Sequence, residues 1–118
     1  MIYYNVTAYD GFGNVVKTYK AKSIGWYKHG GVNLILKGDI KTFLKMPSVV
    51  VEIPKTPYFF ENCPSQLHPH EVTLYSLDGK IIKTWVSEYA PASPEFGTLF
   101  DTKDTHVEIH GPVIINKK

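Results

Sequence analysis

Arginine is absent from this 118-residue sequence, and all thirteen basic side chains are lysines. Arginine is the usual reader of guanine edges and the usual fork for phosphate, so sequence-specific DNA recognition is not expected. A net charge of +2 is too small to draw nucleic acid or a membrane surface by bulk electrostatics. Cysteine is nearly absent too. Cys63 stands alone, so no intrachain disulfide can form and one chain cannot hold zinc through cysteines, which fits a reducing compartment. No apolar run approaches the length of a membrane span and no charged-then-apolar leader opens the sequence. The expected location is cytoplasmic, with no membrane partner.

What is present is strand chemistry, arranged twice. Residues 6–19, VTAYDGFGNVVKTY, return without a gap at 72–85, VTLYSLDGKIIKTW, 66 residues later. Six positions are identical, and Val15/Ile81, Val16/Ile82 and Tyr19/Trp85 are conservative exchanges. The pattern predicts one β-hairpin made twice, with Gly13 and Gly79 supplying the positive φ of the turn. In the second copy, pairing Ser76 with Lys80 gives a type I turn on Leu77-Asp78 with Gly79 in a bulge. That register places Val72, Leu74, Ile82, Thr84 and Val86 on one face, read as core. The other face then carries Thr73, Tyr75, Ile81, Lys83 and Trp85, matched in the first copy by Thr7, Tyr9, Val15, Lys17 and Tyr19.

At this length one domain, 1–118, is expected, with pseudo-repeat halves 1–53 and 70–118 joined by a proline-rich connector, 54–69. In the first half, strands are read over 2–9, 15–26, 32–37 and 48–53, with turns at 10–14 and 28–31. Asp39 reads as the N-cap of one short helix over 39–46, because Ile40, Phe43 and Leu44 fall at helical spacing before Pro47. Aromatics Tyr58, Phe59 and Phe60 of the connector are expected to plug the core. The second half reads as a hairpin over 71–89, mostly loop over 90–104, and strands at 105–110 and 113–115. The fold class is mainly β: two similar antiparallel hairpin-based units packed as a sandwich or a partly open barrel. Exposed edges in so small a sheet protein also suggest a homo-oligomer.

One row of side chains has metal-binding chemistry. In a strand, period 2 puts His106, Glu108 and His110 on one face, neighbours about 7 Å apart. A zinc site there would use two adjacent members of the row plus His68 or His70 from the His68-Pro69-His70 stretch. Otherwise no cofactor is implied. No phosphate loop, dinucleotide fingerprint, nucleophile elbow or paired-carboxylate signature is present, so an enzyme is not the first expectation.

The composition favours a cytoplasmic interaction module, in the manner of a phage-type accessory protein. It would bind a host protein through an aromatic-rich face anchored by Tyr9, Tyr19, Tyr75 and Trp85. The alternative is a binder of a small nucleotide-like ligand, an aromatic stacking on its ring while Lys17 or Lys83 meets phosphate. Metal-dependent hydrolysis on the His106-Glu108-His110 strand is a third, more distant reading.

Overall fold

Runs of β-branched and aromatic residues, cut at intervals by glycine-bearing turns, fold into ten strands among the described residues. The structure, a computed structural model, describes residues 2–55 and 68–118. In chain order the strands are β1 (Tyr4–Tyr9), β2 (Val15–Trp26), β3 (Val32–Leu36), β4 (Lys41–Leu44), β5 (Ser48–Pro54), β6 (His70–Tyr75), β7 (Ile81–Ser87), β8 (Thr98–Asp101), β9 (Thr105–His110) and β10 (Val113–Lys117). They make two antiparallel sheets, ordered β4-β3-β2-β1-β5-β9-β8 and β10-β6-β7, neither closed on itself. No helix long and apolar enough to cross a membrane occurs among the described residues. Tyr58, Phe59, Phe60 and Cys63, including the expected aromatic plug, lie outside the described residues.

Four hairpins close through the same pair of backbone hydrogen bonds. Asp10 N donates to Asn14 O at 3.0 Å, and Gly13 N donates back to Asp10 O at 3.3 Å. The same two backbone bonds recur for Tyr27, Gly30 and Gly31, for Leu36, Asp39 and Ile40, and for Ser76, Gly79 and Lys80. The residue that closes each turn has positive φ: 86° at Gly13, 91° at Gly30, 88° at Gly79 and 59° at Asp39. Aspartate tolerates this region better than most residues, and Lys22 Nζ holds the Asp39 carboxylate at 2.9 Å. The helix expected over 39–46 is therefore not formed. Asp39 closes a hairpin turn where an N-cap was expected, and β4 pairs with β3 from Val32↔Leu44 to Ile35↔Lys41. Eight residues cannot sustain a helix without tertiary support, whereas an open edge of β3 offers a ladder.

The two repeated stretches adopt the same hairpin, with a bulge at the same place. In the first, Ala8 faces Lys17 but Tyr9 faces Val15, so Val16 is the extra residue. In the second, Leu74 faces Lys83 but Tyr75 faces Ile81, so Ile82 is extra. This bulge corrects the expected faces. It reverses the alternation beyond Ile81, so Lys83 and Trp85 join Val72 and Leu74 on the inner face, while Thr84 and Val86 turn outward. The neighbouring strands match as well. β1 pairs on its other side with β5, Val6↔Val51 and Ala8↔Val49, and β6 pairs with β10, Val72↔Ile115 and Leu74↔Val113.

Two apolar clusters occupy opposite faces of the seven-stranded sheet. The first joins Val6, Ala8, Val49 and Val51 to Val32, Leu34 and Leu44, so β3 and β4 curl back over β1 and β5. β2 is long enough to make that bend: its first half pairs with β1, its second with β3, and a bulge lies between Ala21 and Ser23. The second cluster lies between the sheets, where Val72, Leu74 and Trp85 meet Tyr9, Val50, Phe100, Val107 and Ile109. β5 is an interior strand, as its nearly continuous apolar run predicts, and residues 48–51 are all buried. β8 lies inside the stretch expected to be loop and extends the sheet past β9, Phe100 facing Val107.

Candidate functional site

The turn that joins β2 to β3 carries Tyr27, Lys28 and His29, and the outward row of β4 carries Phe43. Alternation on β3 and β4 sends Leu34 and Leu44 into the core, so Asn33 and its partner Phe43 must face out. Tyr27 and Phe43 stay 54 and 56% exposed, their rings edge to face with centroids 5.5 Å apart. Asn33 Nδ2 donates to Tyr27 Oη at 2.9 Å and fixes the tyrosine ring. Gly31 lies flat beneath Phe43: a Cβ there would come within 2.8 Å of Cζ. Together Tyr27, Lys28, His29, Gly31, Asn33, Phe43 and Lys45 line an open cleft of about 620 Å³.

The charged residues lining this cleft are both lysines, Lys28 and Lys45, with His29 beside them. Glu95 approaches the rim, 3.9 Å from Lys28 Nζ, but both side chains are mostly exposed and such a pair contributes little. On the far side of Phe43 a second cleft of about 420 Å³ is lined by Asn33, Leu34, Ile35, Lys41, Thr42 and Phe43. Flat amphipathic rings beside lysines suit a planar ligand that carries negative charge.

The six residues expected to form an aromatic face do not come together. Tyr9 and Trp85 are buried at 9 and 7% exposure in the cluster between the sheets, where Trp85 meets Phe100 edge-on at 5.8 Å. Burial, with Glu52 nearby, raises the Tyr9 phenol above its ordinary value. Lys83 Nζ lies 5.2 Å from the Trp85 ring centroid and 3.3 Å from the Glu52 carboxylate, which also accepts from Trp85 Nε1. Lys17 takes the equivalent place 6.0 Å from the ring of Tyr19, on the opposite face of the large sheet. Tyr75, facing Ile81, belongs to the outer face of the small sheet.

The histidine row is real but is wired to carboxylates. His106, Glu108 and His110 alternate with buried Val107 and Ile109, as period 2 requires. His106 Nδ1 meets Asp101 Oδ1 at 2.7 Å and Nε2 meets Glu108 Oε2 at 2.9 Å, while Trp26 Nε1 donates to Glu108 Oε1 at 2.6 Å. The hydrogen bond to Glu108, then the carboxylate of Asp101, hold His106 above the ordinary histidine range against the opposing effect of burial. Burial pushes the Glu108 carboxyl upward, but bonds from His106 and Trp26 outweigh it and leave its pKa lowered. When the ring is protonated both of its nitrogens donate, in opposite directions, and it acts as a cross-brace between β8 and β9. His110 bonds Phe96 O through Nδ1 at 2.9 Å, and its ring fills the space where a Gly30 Cβ would sit. His70 opens β6 of the small sheet, which covers the other face of β9, and His68 lies just before that strand, so neither completes this row. Among the described residues no group of three or more His, Cys, Asp or Glu side chains has metal-binding geometry.

The Tyr27/Phe43 cleft was hidden in the sequence in two ways. Phe43 looked inward on a helix, and Tyr27 fell between a strand read over 15–26 and a turn read over 28–31. The usable signal was Gly38-Asp39, a hairpin dipeptide, which sets β4 in register and turns Phe43 outward. No family model, no curated protein and no solved structure matches this chain.

Proposed function

We propose that this protein is a non-enzymatic binding module that takes a planar, negatively charged, nucleotide-like ligand in the Tyr27/Phe43 cleft. The observation that carries this reading is two aromatic rings, each more than half exposed, beside a cleft whose charged lining is basic. Soluble proteins rarely hold paired aromatics on a bare surface without a use for them. The rings stack on the ligand, and Lys28 and Lys45 act as point charges on its phosphate. Behind the site stand two similar units, β2-β1-β5 and β7-β6-β10, which we read as a sandwich of repeated parts; their matched registers and bulges support that.

Saturation-transfer NMR with a panel of ribonucleotides tests the site. Transfer from the cleft's ring protons to a nucleotide base is expected, and Phe43→Ala should abolish it without unfolding the protein, since the ring is largely exposed. A wild-type protein that transfers to no nucleotide would overturn the reading.

A protein partner is the second reading, favoured by a different surface. The outer face of the small sheet carries exposed Ile81, Val86 and Ile114 beside Tyr75. Val86→Glu should abolish capture of such a partner while Phe43→Ala leaves it intact.

A further inference from the structure

Phe43 does not sit at the end of a single cleft: it is the wall between two. The first cleft brings Lys45 and Lys28 to one side of its ring, and the second brings Lys41 to the other. Lys41 and Phe43 alternate along the outward row of an edge strand, about 7 Å apart, and Lys45 follows just past the strand's end, where it lines the first cleft with Phe43. The row has Ile35 and Asn33 beside it on β3, and β4 has no neighbour on its other side among the described strands.

The arrangement discriminates between ligands. A mononucleotide carries phosphate on one side of its base. An internal nucleotide of a strand carries phosphate on both, and a lysine on each side of one stacking ring answers that pattern. Lys41 and Lys45 line different clefts with the Phe43 ring between them, so the single phosphate group of a nucleoside monophosphate meets one of them and a strand meets both. The lining residues contribute no carboxylate to either cleft. An exposed aromatic on a strand with lysines tracking the backbone is how sequence-tolerant single-strand binders work. Absence of arginine fits the same chemistry, because no base edge has to be read.

We infer that the outward row of β4, with Tyr27 at its end, is a binding track for single-stranded nucleic acid, a base stacking on Phe43 and its flanking phosphates meeting Lys41 and Lys45. This rests on the proposed planar-anion site and extends it from one nucleotide to a strand. Contacts are few, so affinity is modest and falls with salt: for a single strand the slope of log K against log salt is about 0.7 per phosphate neutralised.

Fluorescence anisotropy of labelled oligothymidylate and oligouridylate, each of about 12 nucleotides, tests the track against the matching monophosphates. The strands are expected to bind at least about tenfold more tightly than the monophosphates. Phe43→Ala should weaken them about tenfold or more. Lys41→Glu should weaken the strands but leave a monophosphate bound beside Lys45 unaffected, while Lys103→Glu, on the turn between β8 and β9, should change neither. Equal affinity for strand and monophosphate would overturn the track and leave the nucleotide cleft standing. Failure of both ligands to bind would overturn the two together, and binding of the strands unaltered by Phe43→Ala and Lys41→Glu would place any nucleic-acid site elsewhere.

Discussion

The β1–β2 and β6–β7 hairpins have the same turn, the same bulge and a lysine placed over an aromatic two residues later, yet they serve opposite ends. In β6–β7 the face with Lys83 and Trp85 closes on the large sheet: Trp85 is buried and Glu52 ties its indole and the lysine together. In β1–β2 the equivalent face, Lys17 and Tyr19, lies on the far side of the large sheet, with Tyr19 only partly buried against the other cluster. The small sheet is covered through this face, and the large sheet through both. Identical local geometry therefore fixes the hairpin but leaves its burial to whatever packs against it. Val16 and Ile82 illustrate the point, each being the bulged residue of its copy but 53% exposed in the first and packed against the inter-sheet cluster in the second.

The largest test of this comparison is at the paired aromatics. Trp85→Ala should cost about 3–5 kcal/mol of unfolding free energy, because a large ring leaves a closed cluster. Tyr19→Ala should cost roughly 1 kcal/mol, as expected of a half-buried side chain. Urea denaturation of both variants measures the gap, and equal losses would mean the two faces are not differently used.

The paired turn glycines should differ less. Alanine at either takes positive φ, costing about 1–2 kcal/mol. At Gly79 the added methyl meets open space; at Gly13 it would lie 3.2 Å from Ile82 Cγ1 and 3.3 Å from Ser76 Cβ, where the two hairpin tips touch. Gly13→Ala should therefore be the more destabilising, and a thermal melt of each variant checks the order.

The smallest effect separates the outer hairpins. β3–β4 is pinned by Lys22 and Asp39, neither of which changes charge near neutrality, whereas β8–β9 is braced by His106 between Asp101 and Glu108. His106 is raised in the folded state, so its contribution is complete below about pH 6.5 and is lost as pH rises through the folded value. Glu108 is lowered, so its contribution is complete above about pH 4.3 and is lost as pH falls through the folded value. Stability from this brace is thus greatest in mildly acidic solution. Denaturation midpoints at mildly acidic and mildly alkaline pH should show the wild type losing stability on the alkaline side, and His106→Gln should flatten that loss.

Much of the frame was legible because it rests on short-range chemistry. Glycine turns at 13, 30 and 79 and the apolar run of β5 announce themselves through φ and composition. β4 was not, since Ile40, Phe43 and Leu44 satisfy helical spacing and only the free edge of β3 decides between helix and ladder. Trp85 was set on the wrong face because a bulge at Ile82 has no signature in residue type. The candidate site shared that fate: Phe43 becomes exposed only when β4 is a strand, and Lys41 and Lys45 become its flanks by the same step. The histidine row was read correctly as a row, but Asp101 and Trp26, which occupy its bonding capacity, come from residues that only tertiary structure brings near.

The ladder between β5 and β9 has a consequence for how the chain reaches this state. β9 belongs to the second half but pairs with the first, Val50 with Ile109 and Glu52 with Val107. That seam can zip only after more than fifty intervening residues have been gathered, which makes it a slow, high-contact-order step. Until it closes, β5 presents an unpaired apolar edge, and any β8–β9 hairpin can occupy it. At high concentration the hairpin of a neighbouring molecule would compete with the chain's own, so the refolding yield is expected to fall as protein concentration rises.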